Sequence, residues 1–294
     1  MILMKRALIW IRRLAIYTLV NARRYFVEMP QKRKAENHLL RKGFIKYDSK
    51  LGAGLAKYLR DIIDNPGVAE MSSLGHFKIL QQSEFGMKTI AVDASSEFLH
   101  KYVFTEELFT KLRDFYGKPF YLRNNPTIEF SYDGEENNAQ LFHLDWGLKQ
   151  SSVMFNLSDL DKNATHMEYI IGSNRQYKFT HPSRFSNREV KRARWYQQNL
   201  PVETTIGKTG QVSIFDAGCG YHRQIGGGRR VMLHVNFTEN LAFTNWSKGW
   251  SPDNAPYWFA KHRVKSDLKI ANRVFDIVNK DMRPGFLVPQ IISK

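Results

Sequence analysis

The spacing of apolar positions changes character near residue 119. Upstream it is helical. Residues 32–65 read as a basic helical stretch that closes at Asn65-Pro66-Gly67, a strong turn signal. Thr105 to Tyr116 begins on a capping residue, carries Glu106 and Glu107 in its first turn, and stops at Gly117-Lys118-Pro119. From Pro119 the pattern becomes short runs of β-branched and aromatic residues divided by turns: Thr127–Tyr132, Gln140–Trp146, Ser152–Leu157, Met167–Ile171, Gln211–Phe215 and Arg230–Thr238. The charged segment Asn187–Gln198 interrupts them and reads as a helix. After Asn240 a Trp-rich linker leads to a helix with the apolar stripe Val264, Leu268, Ala271, Phe275 and Val278, ending before Arg283-Pro284-Gly285.

Many short strands flanked by helices predict a mainly β fold, a sandwich or barrel with helices packed on one side. Three regions follow: residues 1–30, a basic arm; residues 31–245, the β domain with its N-terminal helices; and residues 246–294, a helical extension.

The arm has its own pattern. On a helical projection the pairs Lys5/Arg6, Arg12/Arg13 and Arg23/Arg24 share one arc, and Leu3, Ala7, Trp10, Ile11, Leu14 and Ala22 lie opposite. The longest charge-free run after Met1 is the nine residues Leu14–Ala22, too short to span a bilayer, which takes about 20. Arg12 and Arg13 also break up the apolar core that a signal peptide needs. The expectation is an amphipathic helix lying in a membrane interface, its arginines toward lipid phosphates.

Charge sharpens that picture. The 294 residues carry a net charge of +16. Within residues 1–46 twelve Lys/Arg stand against Glu28 and Glu36, so the arm and its neighbourhood hold ten of those charges. Such a balance implies an anionic partner, whether lipid, acidic substrate or nucleic acid. The patch Arg184, Arg188, Lys191, Arg192 and Arg194 points the same way. The single cysteine, Cys219, excludes an intramolecular disulfide and a cysteine-rich zinc site.

The candidate chemistry is concentrated in four residues. His143-Leu144-Asp145 is followed by His222 and, eight residues later, by Arg230. In a strand, residues i and i+2 share a face, so His143 and Asp145 would project together while Leu144 faces away. Two imidazoles and a carboxylate hold one face of an Fe(II) ion and leave three coordination positions open. An arginine on the next strand supplies a forked cation for a carboxylate co-substrate. Strand alternation from Arg230 places Arg230, Met232 and His234 on one face. Rivals exist within the chain: His166-Met167-Glu168 has similar ligand spacing, His234 competes with His222, and Arg229 competes with Arg230.

The stretch from Phe142 to Phe237, about a third of the chain, resembles the phytanoyl-CoA hydroxylase-like branch of the Fe(II)/2-oxoglutarate-dependent dioxygenases. The motifs that carry the resemblance are His143-Leu144-Asp145-Trp146, then Leu157-Ser158-Asp159 through Asn163-Ala164 to Ile171-Gly172-Ser173-Asn174, then Gly210-Gln211-Val212-Ser213-Ile214-Phe215-Asp216 with His222, and last Arg230-Val231-Met232-Leu233. Ala164, Ile171 and Asn174 depart from the glycine, proline and histidine usual in that family, which marks a divergent member.

The resemblance implies a double-stranded β-helix (jelly roll), with His143, Asp145 and His222 as iron ligands and Arg230 anchoring 2-oxoglutarate. It also implies a hydroxylase with ascorbate as reductant. In size, charge and basic N-terminus the chain is similar to peripheral hydroxylases of Kdo, the inner-core sugar of lipopolysaccharide. That gives the leading expectation: a cytoplasmic enzyme on the inner face of the inner membrane, acting on an anionic glycolipid. The alternative is a soluble hydroxylase of a small metabolite or acyl-CoA. A jelly roll that binds nucleic acid without catalysis comes third, because the sequence shows no zinc finger, RNA-binding aromatic motif or clear helix-turn-helix.

Overall fold

The computed structural model describes residues 38–65, 77–80, 87–92, 96–116, 120–123, 126–131, 140–145, 150–175 and 187–238, together with Ala22. The interfacial helix expected over residues 1–30 and the C-terminal extension over 246–294 otherwise lie outside the described residues. Among the described residues, no helix is long and apolar enough to cross a membrane.

The chain enters through a short helix, α1 (His38–Lys42), and a strand, β1 (Phe44–Asp48). A continuous basic helix was expected here. Gly43 ends α1 with φ of 79°, a left-handed conformation that glycine adopts without steric cost, and its N–H caps the Leu39 carbonyl at 2.8 Å. The chain then turns into strand and pairs with the domain's sheet. Helices α2 (Gly52–Tyr58) and α3 (Arg60–Asp64) follow. After β2 (Phe77–Leu80) and β3 (Met87–Val92) comes a π-helical turn at Leu99–Val103. Helix α4 (Glu106–Tyr116) begins where its sequence predicts, with the Thr105 hydroxyl accepting the Leu108 N–H at 3.3 Å.

The remaining elements are β4 (Tyr121–Leu122), β5 (Thr127–Ser131), β6 (Gln150–Asn156), β7 (His166–Ile170), α5 (Asn187–Asn199), β8 (Val202–Thr204), β9 (Gln211–Asp216), β10 (His222–Ile225) and β11 (Arg230–Thr238). They form an antiparallel sheet in the order β1-β9-β6-β11-β5-β3-β2, with β4 also on β11, and a smaller one in the order β10-β7-β8. Gln140–Trp146 is the one expected strand that does not form. Its described part contributes a single bridge, His143 to His222.

Both faces of the large sheet are covered, yet they differ in chemistry. The outer face (Val153, Phe155, Val212, Ile214, Val231, Leu233, Val235 and Phe237) packs against Leu55, Ile62, Phe109, Leu112 and Phe115 of the helices. Burial of this apolar layer is the main driving force for the fold. The inner face meets the small sheet through a limited cluster, with Met154, Phe215 and Met232 against Met167 and Tyr169. Around that cluster the inner positions are polar. Register sets Arg230 opposite Ser131, Met232 opposite Glu129 and Asn156, His234 opposite Thr127 and Met154, and Asn236 opposite Ser152. A buried polar face must satisfy its groups internally or with a ligand, so this space is built for polar contents.

Candidate metal centre

His222 is delivered by a tight turn from β9 to β10. The Asp216 carboxylate accepts the Cys219 N–H at 3.1 Å, and the Asp216 carbonyl accepts the Gly220 N–H at 2.9 Å. Gly220 is required here by packing: a Cβ at this position would lie 1.7 Å from the Tyr169 hydroxyl. The same turn backs the other ligand segment, because the Ala217 carbonyl accepts the Asp145 N–H at 2.8 Å.

His143 and His222 then exchange backbone hydrogen bonds, at 2.9 and 3.1 Å, which sets their rings 4.5 Å apart between centroids. His143 Nδ1 donates to the Leu141 carbonyl at 2.7 Å and His222 Nδ1 to the Gly220 carbonyl at 3.1 Å. Carbonyl oxygens only accept, so each Nδ1 carries a proton, which leaves Nε2 as the nitrogen placed to coordinate a metal. Both Nε2 atoms turn toward Asp145, whose Oδ1 lies 3.9 Å from one and 4.0 Å from the other. One ligand atom from each of the three residues falls within 4.8 Å of the others, and among the described residues no other such group of His, Cys, Asp or Glu occurs.

The expected face-sharing of His143 and Asp145 is thus achieved by a looped segment rather than a strand. Three backbone bonds anchor it, two exchanged with His222 and one to Ala217, on either side of Leu144. Leu144 points away, into a cluster with Phe142, Tyr196 and Tyr221.

Arg230 opens β11 on the inner face and is almost fully buried, at 1% exposure. Its Nη2 donates to Gln224 Oε1 and to Glu129 Oε2, both at 3.2 Å. The other Glu129 oxygen meets His234 Nδ1 at 2.8 Å. Burial pushes the Glu129 carboxyl up, but His234 and Arg230 outweigh it and hold the group below its ordinary range. Burial also lowers Arg230, partly offset by Glu129.

The rivals sit elsewhere. Arg229 is exposed and donates to the Ile63 carbonyl at 3.1 Å, behind the sheet. His166 Nδ1 bonds the Ala164 carbonyl at 2.7 Å, and Glu168 pairs with Arg223 at 2.7 Å. His234 belongs to the Glu129 cluster.

Four residues at the centre escaped sequence reading: Gln150, Arg123, Gln224 and Glu129. A signal existed for the first. Strand β6 is buried at every position, yet Gln150, Ser152 and Asn156 alternate along it as polar residues on one face. A doubly covered strand with polar residues at that period marks a functional interior.

No protein-family model matches the chain, and neither does any curated protein. Solved structures do. The non-heme alpha-ketoglutarate-dependent epimerase SnoN from nogalamycin biosynthesis aligns with a TM-score of 0.51 and 14% identity, over 76% of this chain and 92% of SnoN. EctD from S. alaskensis, solved with bound Fe, aligns with a TM-score of 0.52 and 16% identity, over 77% of this chain and 82% of EctD. The carbocyclase SnoK, alpha-ketoglutarate-dependent and from nogalamycin biosynthesis, gives a TM-score of 0.50 and 13% identity over 70% of this chain and 85% of SnoK. The fold is a jelly roll of their kind. At these identities the likeness establishes the architecture, and the chemistry rests on the site.

Proposed function

We propose that this protein is an Fe(II)/2-oxoglutarate-dependent hydroxylase acting on an anionic substrate at a membrane surface. The observation that carries the reaction class is the convergence of His143 Nε2, His222 Nε2 and Asp145 Oδ1 on one point inside a jelly roll. Two imidazoles, each with Nδ1 held by a carbonyl, and one carboxylate are the donor set that suits non-heme Fe(II).

The placement of Arg230 also suits the co-substrate. Gln224 lies two residues beyond His222 on the same strand, hence on the same face and roughly 6.6 Å along it by strand rise. Its amide oxygen accepts from the Arg230 guanidinium, which sets Arg230 at about that distance from the histidine. A five-carbon dicarboxylate reaching the metal edge with its 2-oxo acid end would meet Arg230 with the other.

When bound, Fe(II) and 2-oxoglutarate would supply the oxidising chemistry: O2 is consumed, 2-oxoglutarate becomes succinate and CO2, and one oxygen atom enters a substrate C–H bond. The chain's own groups have separate tasks. His143, Asp145 and His222 hold the ion by one face. Arg230 orients the far carboxylate. Phe215, whose ring lies 5.2 Å from that of His222, and Met154 exclude water from the inner wall.

The substrate class rests on charge. Lys191 and Arg194 are exposed on α5 beside Trp195, which leaves 55% of its surface in solvent. An exposed tryptophan among cations suits a lipid–water interface, and residues 1–46 add ten net charges. The Kdo sugar of a lipopolysaccharide precursor, with its carboxylate and the lipid's phosphates, is the substrate this reading favours. Succinate formation by the purified protein with Fe(II), ascorbate and 2-oxoglutarate tests it, with and without an inner-membrane glycolipid extract. Lipid-dependent succinate supports the full proposal. Lipid-independent turnover keeps the oxygenase and moves the substrate to a soluble metabolite or acyl-CoA. No succinate under either condition sinks both.

A further inference from the structure

The second oxygen of Asp145 is engaged by Gln150. The Gln150 amide Nε2 donates to Asp145 Oδ2 at 3.3 Å, and Gln150 Oε1 accepts from Arg123 Nη1 at 2.6 Å. The polarity of this chain is unambiguous. A guanidinium only donates and a carboxylate only accepts, so the amide oxygen must face Arg123 and the amide nitrogen Asp145. Gln150 is itself 2% exposed, and its backbone carbonyl accepts the Gly218 N–H at 3.4 Å, in the turn whose Ala217 backs Asp145.

We propose that Gln150, polarised by Arg123, positions Asp145 as a ligand through one oxygen only. The inference rests on the metal-binding reading above and adds to it. With Oδ2 occupied by the amide, Oδ1 is the oxygen turned to both histidines. A carboxylate that gripped the ion with both oxygens would fill a fourth position. The open positions would fall from three to two, too few for a chelating 2-oxo acid and O2 together. Arg123 strengthens the hold because a hydrogen bond to a cation draws density from the amide and sharpens its N–H as a donor. Both act through Asp145 rather than as ligands, which makes them positioning residues.

The test is a Co(II) titration of the metal-free full-length chain against a chelating dye, in wild type, Gln150→Met, Arg123→Met and the double variant. The visible d–d spectrum of each complex and the thermal unfolding of each metal-free protein are recorded alongside. Gln150→Met is expected to weaken Co(II) binding by about 10- to 100-fold, the range for loss of an outer-shell partner, and to change the d–d spectrum. Arg123→Met shifts both in the same direction by less. The double variant matches Gln150→Met, because Arg123 acts through the amide. Unchanged affinity and spectrum in Gln150→Met overturn the positioning role while leaving the metal centre standing. A double variant that sums the single effects overturns the part assigned to Arg123. Wild-type protein that binds no Co(II) overturns the metal reading and this inference with it. If metal-free Gln150→Met does not fold, Arg123→Met decides, and wild-type affinity and spectrum in it count against the proposal.

Discussion

His143 and His222 are hydrogen-bonded to one another in both directions through their backbones, at 2.9 and 3.1 Å. The two residues lie 79 positions apart in the sequence, yet this bridge positions them without using a side-chain atom. Each imidazole can therefore be removed without undoing the link that places it. His143→Ala and His222→Ala are expected to fold and to lose metal binding and turnover by more than about 100-fold, beyond the cost of an outer-shell partner. Isothermal titration with Co(II), beside circular dichroism, checks this. Loss of fold together with loss of metal would make the pair structural.

Arg230 and Arg229 should separate cleanly. Arg230→Met is expected to raise the KM for 2-oxoglutarate by at least about tenfold, as loss of a charge-assisted fork removes 1.5–3 kcal/mol of binding. Arg229→Met, at an exposed position, leaves that KM unchanged. Removing Arg230 also leaves the buried Glu129 carboxylate one partner short, with His234 still bonded to it, so Arg230→Met alone costs stability, about 1–3 kcal/mol. Adding Glu129→Gln recovers part of the stability without restoring co-substrate binding.

The Glu129 cluster gives stability a pH dependence of definite sign. Its carboxyl is held below the ordinary glutamate value of about 4.3 in the folded protein. The unfolded state then binds more protons than the native one as the solution is acidified. The contribution is fully present above the unfolded value and is lost as pH falls through the lower folded value. Wild-type melting temperature should fall more steeply than that of Glu129→Gln from about pH 5 to about pH 3. Parallel curves would deny the cluster that role.

The Tyr221 hydroxyl donates to Glu189 at 2.8 Å within the contact between α5 and the small sheet. Tyr221→Phe leaves a buried carboxylate with one partner fewer and should cost about 1–3 kcal/mol. Since the side chain points away from the metal centre, Co(II) affinity is expected to stay at the wild-type value. Chemical denaturation and Co(II) titration measure the two effects separately.

How much of this could be read from the sequence depended on whether the signal was local. Strand β11 runs over Arg230–Thr238 as its pattern predicts, because one face is wholly apolar and the alternation is unbroken. Helix α4 was equally plain, with its cap and its stripe of Leu108, Phe109, Leu112 and Phe115. Strand β1 was hidden inside a basic helical stretch, though Gly43 marked the break. His143 and Asp145 were found by residue type, but the strand expected to hold them is a loop tied to His222 and Ala217. Those ties are long-range backbone bonds, and no pattern within Gln140–Trp146 encodes them. Arg123 and Gln224 stayed invisible for the same reason: their partners, Gln150 and Arg230, come from other strands.

The most direct measurement is the visible absorption of the purified protein with Fe(II) and 2-oxoglutarate under strict exclusion of oxygen. The account expects a charge-transfer band that needs both components. It should be absent in His143→Ala, and in Arg230→Met it should demand a higher 2-oxoglutarate concentration. Protein that retains Fe(II) and shows no band at saturating 2-oxoglutarate would contradict the co-substrate assignment. Protein that retains no Fe(II) would contradict the centre itself.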